Sequence, residues 1–439
     1  MAVIGAGWAG CAAAVELARA GHRVTVYEAA RVLGGRARRV ELDGGALDNG
    51  QHILLGAYSE TLRLLKLVGI EHKRALLNLP LQMRYPPDSD GMDFVAPRWP
   101  APLHLAAALL RAKGLARADK LALARFSSTA RWMGWQLHTD CSVSELLERY
   151  DQTERLKQLM WRPLCLAALN TPPERASAQV FLNVLRDSLG AHRSASDMLL
   201  PRVDLSALFP DAAAAYVSGR GGAILTGSKA GALQRLENDR WRIDTTAENA
   251  GADFDAVVIA TPAAAAAQLL EQLQDTTVSG IVAQLGAFTS EAISTCYLQY
   301  GPDVRLEQEF YALADVPEAG HWGQFVFDRG QLDAAQAGLL AVVVSASGAA
   351  AALPQAQLAA AVAAQLAQVL RRPALAQPLS ARVISDKRAT FACTPGLARP
   401  PNATGLAGLM LAGDYTAGAY PATLESAVRS GVLAAAGLA

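Results

Sequence analysis

The opening stretch limits the fold more than any other part of the chain. Ala2-Val3-Ile4 is a short apolar strand, and VIGAGWAG leads from it into a helical run from Cys11 to Ala20. Gly21 stands where a left-handed helix C-cap belongs. Arg23 to Tyr27 alternates and is β-branched, which gives a second strand. Gly5, Gly7 and Gly10 therefore form GxGxxG inside a βαβ unit. Gly5 serves the tight turn, Gly7 the close approach of a pyrophosphate, and Gly10 the packing of helix on sheet. Ala6, Trp8 and Ala9 complete a loop whose N–H groups sit at a helix N-terminus and attract phosphate. The second strand ends at Glu28-Ala29, where an acid accepts the ribose hydroxyls of an adenosine and repels a 2′-phosphate. A glycine-rich turn without a ligand is the plainer alternative, and the complete βαβ context speaks against it.

The size of the dinucleotide follows from Gly34-Gly35-Arg36. An NAD enzyme has no general need for two glycines and a cation just after the ribose-binding acid. A longer cofactor does, because the glycines bring backbone beside the diphosphate and Arg36 adds a fixed charge. LMLAGDYTAGAYPATLESAVRSG answers this arrangement from the far end of the chain. It reads as a strand at Leu409 to Ala412, a Gly413-Asp414 exit, and a helix opening at Ala422, Thr423 and Leu424.

These motifs resemble FAD enzymes of the amine oxidase and carotenoid desaturase type. The resemblance implies an α/β fold: a Rossmann-type FAD-binding domain from discontinuous segments, with a mixed α+β substrate domain. The expected division is 1–75, 201–265 and 395–439 for the FAD domain, and 76–200 with 266–394 for the substrate domain. It further implies that Gly413 and Asp414 hold phosphate and ribityl hydroxyls, and that the helix at Ala422-Thr423-Leu424 aims N–H groups at the flavin. By the same resemblance Gly50, Gln51 and His52 pass the isoalloxazine ring, Thr261 follows the central strand, and Ala230 contacts adenine. The FAD is expected to be noncovalent, since the surroundings of Cys393 do not match those of flavin-tethering cysteines.

LMWRPLCLAALNTPPERASAQVFLNVLRDSL narrows the likeness. With DNGQHILLGAY and the C-terminal motif, it is similar to the hydroxysqualene dehydroxylase family of bacterial hopanoid pathways. That implies a long-chain polyprenyl alcohol as substrate and hydride transfer from reduced flavin N5 to the carbon that loses its hydroxyl, giving squalene. His52 is the expected proton donor for the departing oxygen, because imidazole titrates near neutral pH; packing or a cofactor hydrogen bond is the alternative. The same FAD site would serve a carotenoid or polyprenyl desaturase or an amine oxidase. From another class, a flavin-free prenyl-binding escort protein shares the architecture, and colour separates it from the enzymes.

Composition sets the remaining limits. The chain has 439 residues with 40 basic and 40 acidic side chains, so no field attracts nucleic acid. Five scattered cysteines without a CxxC point to neither disulfides nor a metal site. Met1 runs straight into a core strand, so no secretory signal is expected, and a cytoplasmic location follows. Arg98 to Arg125 mixes Trp99, Leu and Ala with basic residues like an interfacial segment, which suggests peripheral contact with the inner face of the cell membrane. One dinucleotide motif is present. The electron donor that reduces the flavin is therefore a transient or external partner, which the sequence leaves unidentified.

Overall fold

The computed structural model describes residues 1–42, 45–87, 89–245 and 252–439. The chain opens with β1 (Ala2–Ile4), α1 (Trp8–Arg19) and β2 (Thr25–Tyr27). It then leaves for a helical layer containing α2 (Leu103–Arg111), α3 (Arg117–Trp132), α4 (Arg162–Leu169) and α5 (Ala178–Leu185). It returns for β3 (Ala223–Leu225) and β4 (Val257–Ile259). A second excursion holds β5 (Ser290–Gln299), β6 (Phe310–Ala312), β7 (Phe325–Asp328), β8 (Leu339–Val344), α6 (Gln355–Val369) and β9 (Ser380–Phe391). It comes back once more for β10 (Leu409–Leu411) and α7 (Leu424–Ala436).

The returning pieces build one parallel sheet in the order β3-β2-β1-β4-β10. Its strands read AVI, TVY, AIL, VVI and LML, the unbroken apolar runs of a sheet covered on both faces. Helix α7 crosses α1 so closely that a Cβ on Gly431 would lie 2.2 Å from the Ala9 carbonyl. The C-terminal segment is thereby locked onto the N-terminal motif.

The second sheet is antiparallel, in the order β6-β7-β8-β5-β9. Alternation along β5 sorts its side chains. Cys296 and Leu298 pack with Leu358, Val362 and Leu366 of α6, while Ile293 and Thr295 face the opposite way, into a cavity. The helical layer is held by an aromatic file in which Trp161 lies 4.8 Å from Phe126 and 6.1 Å from Phe181, ring centre to ring centre. Two π-helical turns, Lys157–Trp161 and Arg186–Gly190, interrupt it.

All five parallel strands fall inside 1–75, 201–265 and 395–439, and the chain on either side of 75/76 and 200/201 packs together. Met198–Pro201 pairs with both Leu54–Leu55 and Leu76–Leu79, and Leu76 and Leu199 join the core of the parallel sheet. Arg98 to Arg125 spans two helices, α2 and α3, separated at Ala112 to Ala116. Among the described residues no helix is long and apolar enough to cross a membrane.

Candidate active site

A single cavity of about 1730 Å³ runs from the parallel sheet into the helical layer. Its polar end is made largely of backbone. Gly5 has φ +102°, and a Cβ there would strike the Ala260 carbonyl at 2.7 Å. A Cβ on Gly10 would meet the Gly5 carbonyl at 1.9 Å, so α1 can begin only with glycine at that position. Gly34 and Gly35 are both left-handed. The Gly34 N–H donates to the Ala6 carbonyl at 2.9 Å, which lays the second glycine loop beside the first. Helix α1 has no side-chain cap, and its N-terminus faces the cavity through Trp8 and Ala9.

Glu28 is set at the end of β2. Its two oxygens accept from the Ala6 N–H at 2.7 Å and the Ala30 N–H at 2.8 Å, leaving lone pairs for hydroxyl donors. Arg36 bridges the two ends of the chain, donating to the Ala389 carbonyl and to Asp414 Oδ1 at 2.6 Å each. The Asp414 carboxylate raises the Arg36 pKa further. Thr423 caps α7 by accepting from the Ser426 N–H, so the helix begins at Leu424, two residues later than the sequence suggests. Ala422, Thr423 and Leu424 all line the cavity.

Of the residues expected from sequence, Gly5, Gly7, Trp8, Ala9, Glu28, Ala29, Gly34, Gly35, Arg36, Gly50, Gln51, His52, Ala230, Thr261, Gly413, Asp414, Ala422, Thr423 and Leu424 line this one cavity. Ala6 and Gly10 do not. Ala6 is 1% exposed and acts through its N–H on Glu28, and Gly10 packs α1 against the Gly5 turn. The surroundings of His52, the proton donor expected from sequence, act on its ring in opposite senses: burial and the Arg36 charge lower its pKa and outweigh the hydrogen bond to Gly50, which raises it. Its Nδ1 lies 3.1 Å from the Gly50 carbonyl, which can only accept. In the neutral ring Nδ1 therefore carries the proton and Nε2 is left as an acceptor.

Sequence reasoning missed the groups that hold the loop after Asp414. Arg399 donates to the carbonyls of Thr416, Tyr420, Gly418 and Asp414. From α5, Asn183 donates to the Ala419 carbonyl at 3.0 Å, and from the π-helical turn that follows it Asp187 accepts from the Tyr420 hydroxyl. Burial favours a protonated Asp187, but hydrogen bonds from Arg186 and Tyr420 outweigh it and hold the carboxyl below its usual range. Asp48 is also buried, accepting from the Leu205 N–H, and burial lifts its pKa to about 6.

Beyond the polar end the walls turn apolar, with Met83, Phe94, Leu109, Leu123, Trp161 and Leu185 among them. Three buried hydroxyls on the cavity wall have no partner among the described residues: Thr261 Oγ1, Thr295 Oγ1 and Tyr415 Oη. Buried polar atoms are seldom left unpaired, so these mark a place for a polar ligand. Glycine backbone for a diphosphate, an acid for ribose, a cation and a second helix N-terminus fit FAD along its length. None of the five cysteines lines the cavity, and burial pushes the Cys393 thiol up to about 12, so noncovalent binding fits as well.

A sequence profile described as "Flavin containing amine oxidoreductase" matches residues 8–439. The chain belongs to the flavin-containing amine oxidoreductase family. Within this family the chain is similar to proteins named hydroxysqualene dehydroxylase. The one from Rhodopseudomonas palustris is 30% identical, with 99% of this chain and 96% of that protein aligned. The one from Sinorhizobium fredii is 28% identical over the same shares. Among solved structures, an oxidoreductase from Methanosarcina mazei superposes with a TM-score of 0.74 at 17% identity, covering 99% of both chains. Cyclohexylamine oxidase from Brevibacterium oxydans gives 0.69 at 19% identity, covering 100% of this chain and 98% of its own. These likenesses agree on the amine oxidase-like fold. As a member of this flavin-containing amine oxidoreductase family, the chain is an FAD-dependent oxidoreductase.

Proposed function

We propose that this enzyme removes the allylic hydroxyl of hydroxysqualene reductively, giving squalene. The observation that carries the reading is the continuity of the cavity: one space joins the FAD cradle to a long apolar passage. Curated relatives aligned over nearly the whole chain carry the same activity in their names. Reduced FAD, when bound, supplies the hydride.

The rest is the work of this chain's residues. Arg36 and Asp414 fix the cofactor between the two chain ends, and the α7 N-terminus favours negative charge beside Ala422 and Thr423. The apolar walls keep water from the carbon that loses its hydroxyl, and their length aligns a polyprenyl chain along one path. The test is an anaerobic single turnover of dithionite-reduced enzyme with hydroxysqualene. Flavin reoxidation together with squalene is expected. A flavin that stays reduced over untouched alcohol overturns the substrate assignment.

A second proposal concerns delivery. Pro102, Leu103 and Ala106 of the α2 region, with Ser128 and Arg131 of α3, are exposed and also border the cavity, so they rim a mouth. Around it Trp99, Leu110, Leu121 and Trp132 stand out to solvent, Trp132 at 89%. Residues 98–132 hold seven Lys or Arg and one acid, Asp119, which is buried. Apolar side chains among cations suit an anionic bilayer, from which a C30 lipid enters without crossing water. Flotation with anionic vesicles should recover the protein; recovery that is equal without anionic lipid, or absent, removes this reading.

A further inference from the structure

The turn around Gly50 holds two groups with opposite hydrogen-bonding needs. A Cβ at Gly50 would lie 3.7 Å from Thr295 Oγ1 and 3.9 Å from His52 Cε1, so both side chains border the same small volume on the cavity wall. Thr295 is 1% exposed and its hydroxyl has no partner. Nothing in its local structure explains that cost. The β5 alternation that points it into the cavity would suit Val equally well, and Ile293 on the same face is apolar. His52 anchors Nδ1 on the Gly50 carbonyl and leaves Nε2 free to accept.

We propose that Thr295 and His52 form a two-point seat for the hydroxyl of the lipid substrate, with Thr295 Oγ1 donating a hydrogen bond to its oxygen and His52 Nε2 accepting a hydrogen bond from its O–H. This rests on the alcohol reading above and adds the residues that recognise it. An alcohol is donor and acceptor at once, so it satisfies both groups. A hydrocarbon satisfies neither and leaves both unpaired. The seat therefore distinguishes substrate from its dehydroxylated product, which walls of Leu, Ile and Phe alone cannot do. Gly50 has φ +100°, a conformation that residues with side chains rarely adopt, and so brings its carbonyl to His52. Thr295 and His52 both touch the substrate in this assignment, and Gly50 is a positioning residue through its carbonyl.

The test uses the oxidised holoenzyme, which has no hydride to deliver, and measures equilibrium binding of hydroxysqualene and squalene in micelles. Trp135 and Trp161 line the cavity and supply a fluorescence signal. T295V should weaken hydroxysqualene roughly tenfold while leaving squalene unchanged, the size expected for an unmade buried hydrogen bond. T295S should restore the alcohol preference, with the flavin spectrum and midpoint potential at wild-type values throughout. A T295V enzyme that still prefers the alcohol overturns the seat. So does a shifted flavin potential with unchanged preference, which assigns Thr295 to the cofactor instead. Wild-type single turnover is scored separately: squalene formation alongside a failed T295V test refutes the seat alone. Wild-type enzyme that neither turns over nor prefers the alcohol refutes both.

Discussion

The two ends of the cavity are built on different principles. At the nucleotide end the cavity is walled largely by backbone, at Gly5, Gly7, Gly34 and Gly35, with Glu28, Arg36 and Asp414 among its charged side chains. At the far end it is walled mostly by apolar side chains of helices and strands, among them Met83, Phe94, Leu109, Leu123 and Trp161. Backbone recognition tolerates almost no change of residue, because a single Cβ closes the space. Apolar walls tolerate exchange among residues of similar volume. Substitutions at the first end should cost cofactor, and those at the second should cost substrate.

The largest expected effect comes from G10A. Its Cβ would sit 1.9 Å from the Gly5 carbonyl, so α1 must move off the turn. A loss of about 3 kcal/mol or more is expected, at or beyond the usual cost of overpacking. Thermal melting with flavin content per folded protein checks it; unchanged flavin would mean the turn is more pliable than its geometry implies. D414A comes next. It strands Arg36, whose side chain is 39% exposed. That access to water keeps the cost below that of a fully buried pair, at roughly 2–3 kcal/mol, or about 30- to 150-fold in FAD affinity. Gel filtration followed by flavin absorbance is the measurement.

D48N tests the junction of the two ends, where Asp48 accepts from Leu205 and its carbonyl from Tyr297. The folded carboxyl titrates at about 6, above its unfolded value near 4. Between those values the folded chain keeps a proton that the unfolded chain has lost. Stability therefore falls as pH rises through this window and stays low above about pH 6. Asn keeps an oxygen for Leu205 without the charge. Melts should show D48N more stable than wild type by about 2 kcal/mol at pH 8 and equal to it near pH 4. A D48N enzyme that is less stable at pH 8 would show that the charged carboxylate is better satisfied in the folded chain than its raised pKa implies. The smallest effect is expected from A106W at the mouth. It should lower kcat/KM about tenfold, roughly 1.4 kcal/mol, with FAD content unchanged. Flavin loss there would show that the two ends are coupled.

The same contrast explains what could be read from the sequence. Gly5, Gly10, Glu28 and Arg36 answer fixed steric and charge requirements, so residue type and spacing carry the message. Arg399 was invisible because its partners are the carbonyls of Thr416, Gly418 and Tyr420, and a carbonyl has no letter of its own. The role of His52 depended on which group faces Nδ1, and the register of β5 alone could not show that Thr295 lacks a partner. The helices from Leu103 to Leu185 show apolar faces in either case, whether they enclose a passage or pack a solid core. Their lining is a property of arrangement.

Arg36 and Asp414 are 378 positions apart, and the Gly431 crossing places α7 directly on α1. During synthesis, nothing that leaves the ribosome before residue 424 can complete the cofactor site. The early βαβ unit waits with Ala9, Ala12 and Ala13 uncovered where α7 will lie. Joining segments so distant slows folding far more than it weakens the product. Such a chain has a prolonged sticky phase, and holding it away from its neighbours until the last helix docks becomes a task for chaperones.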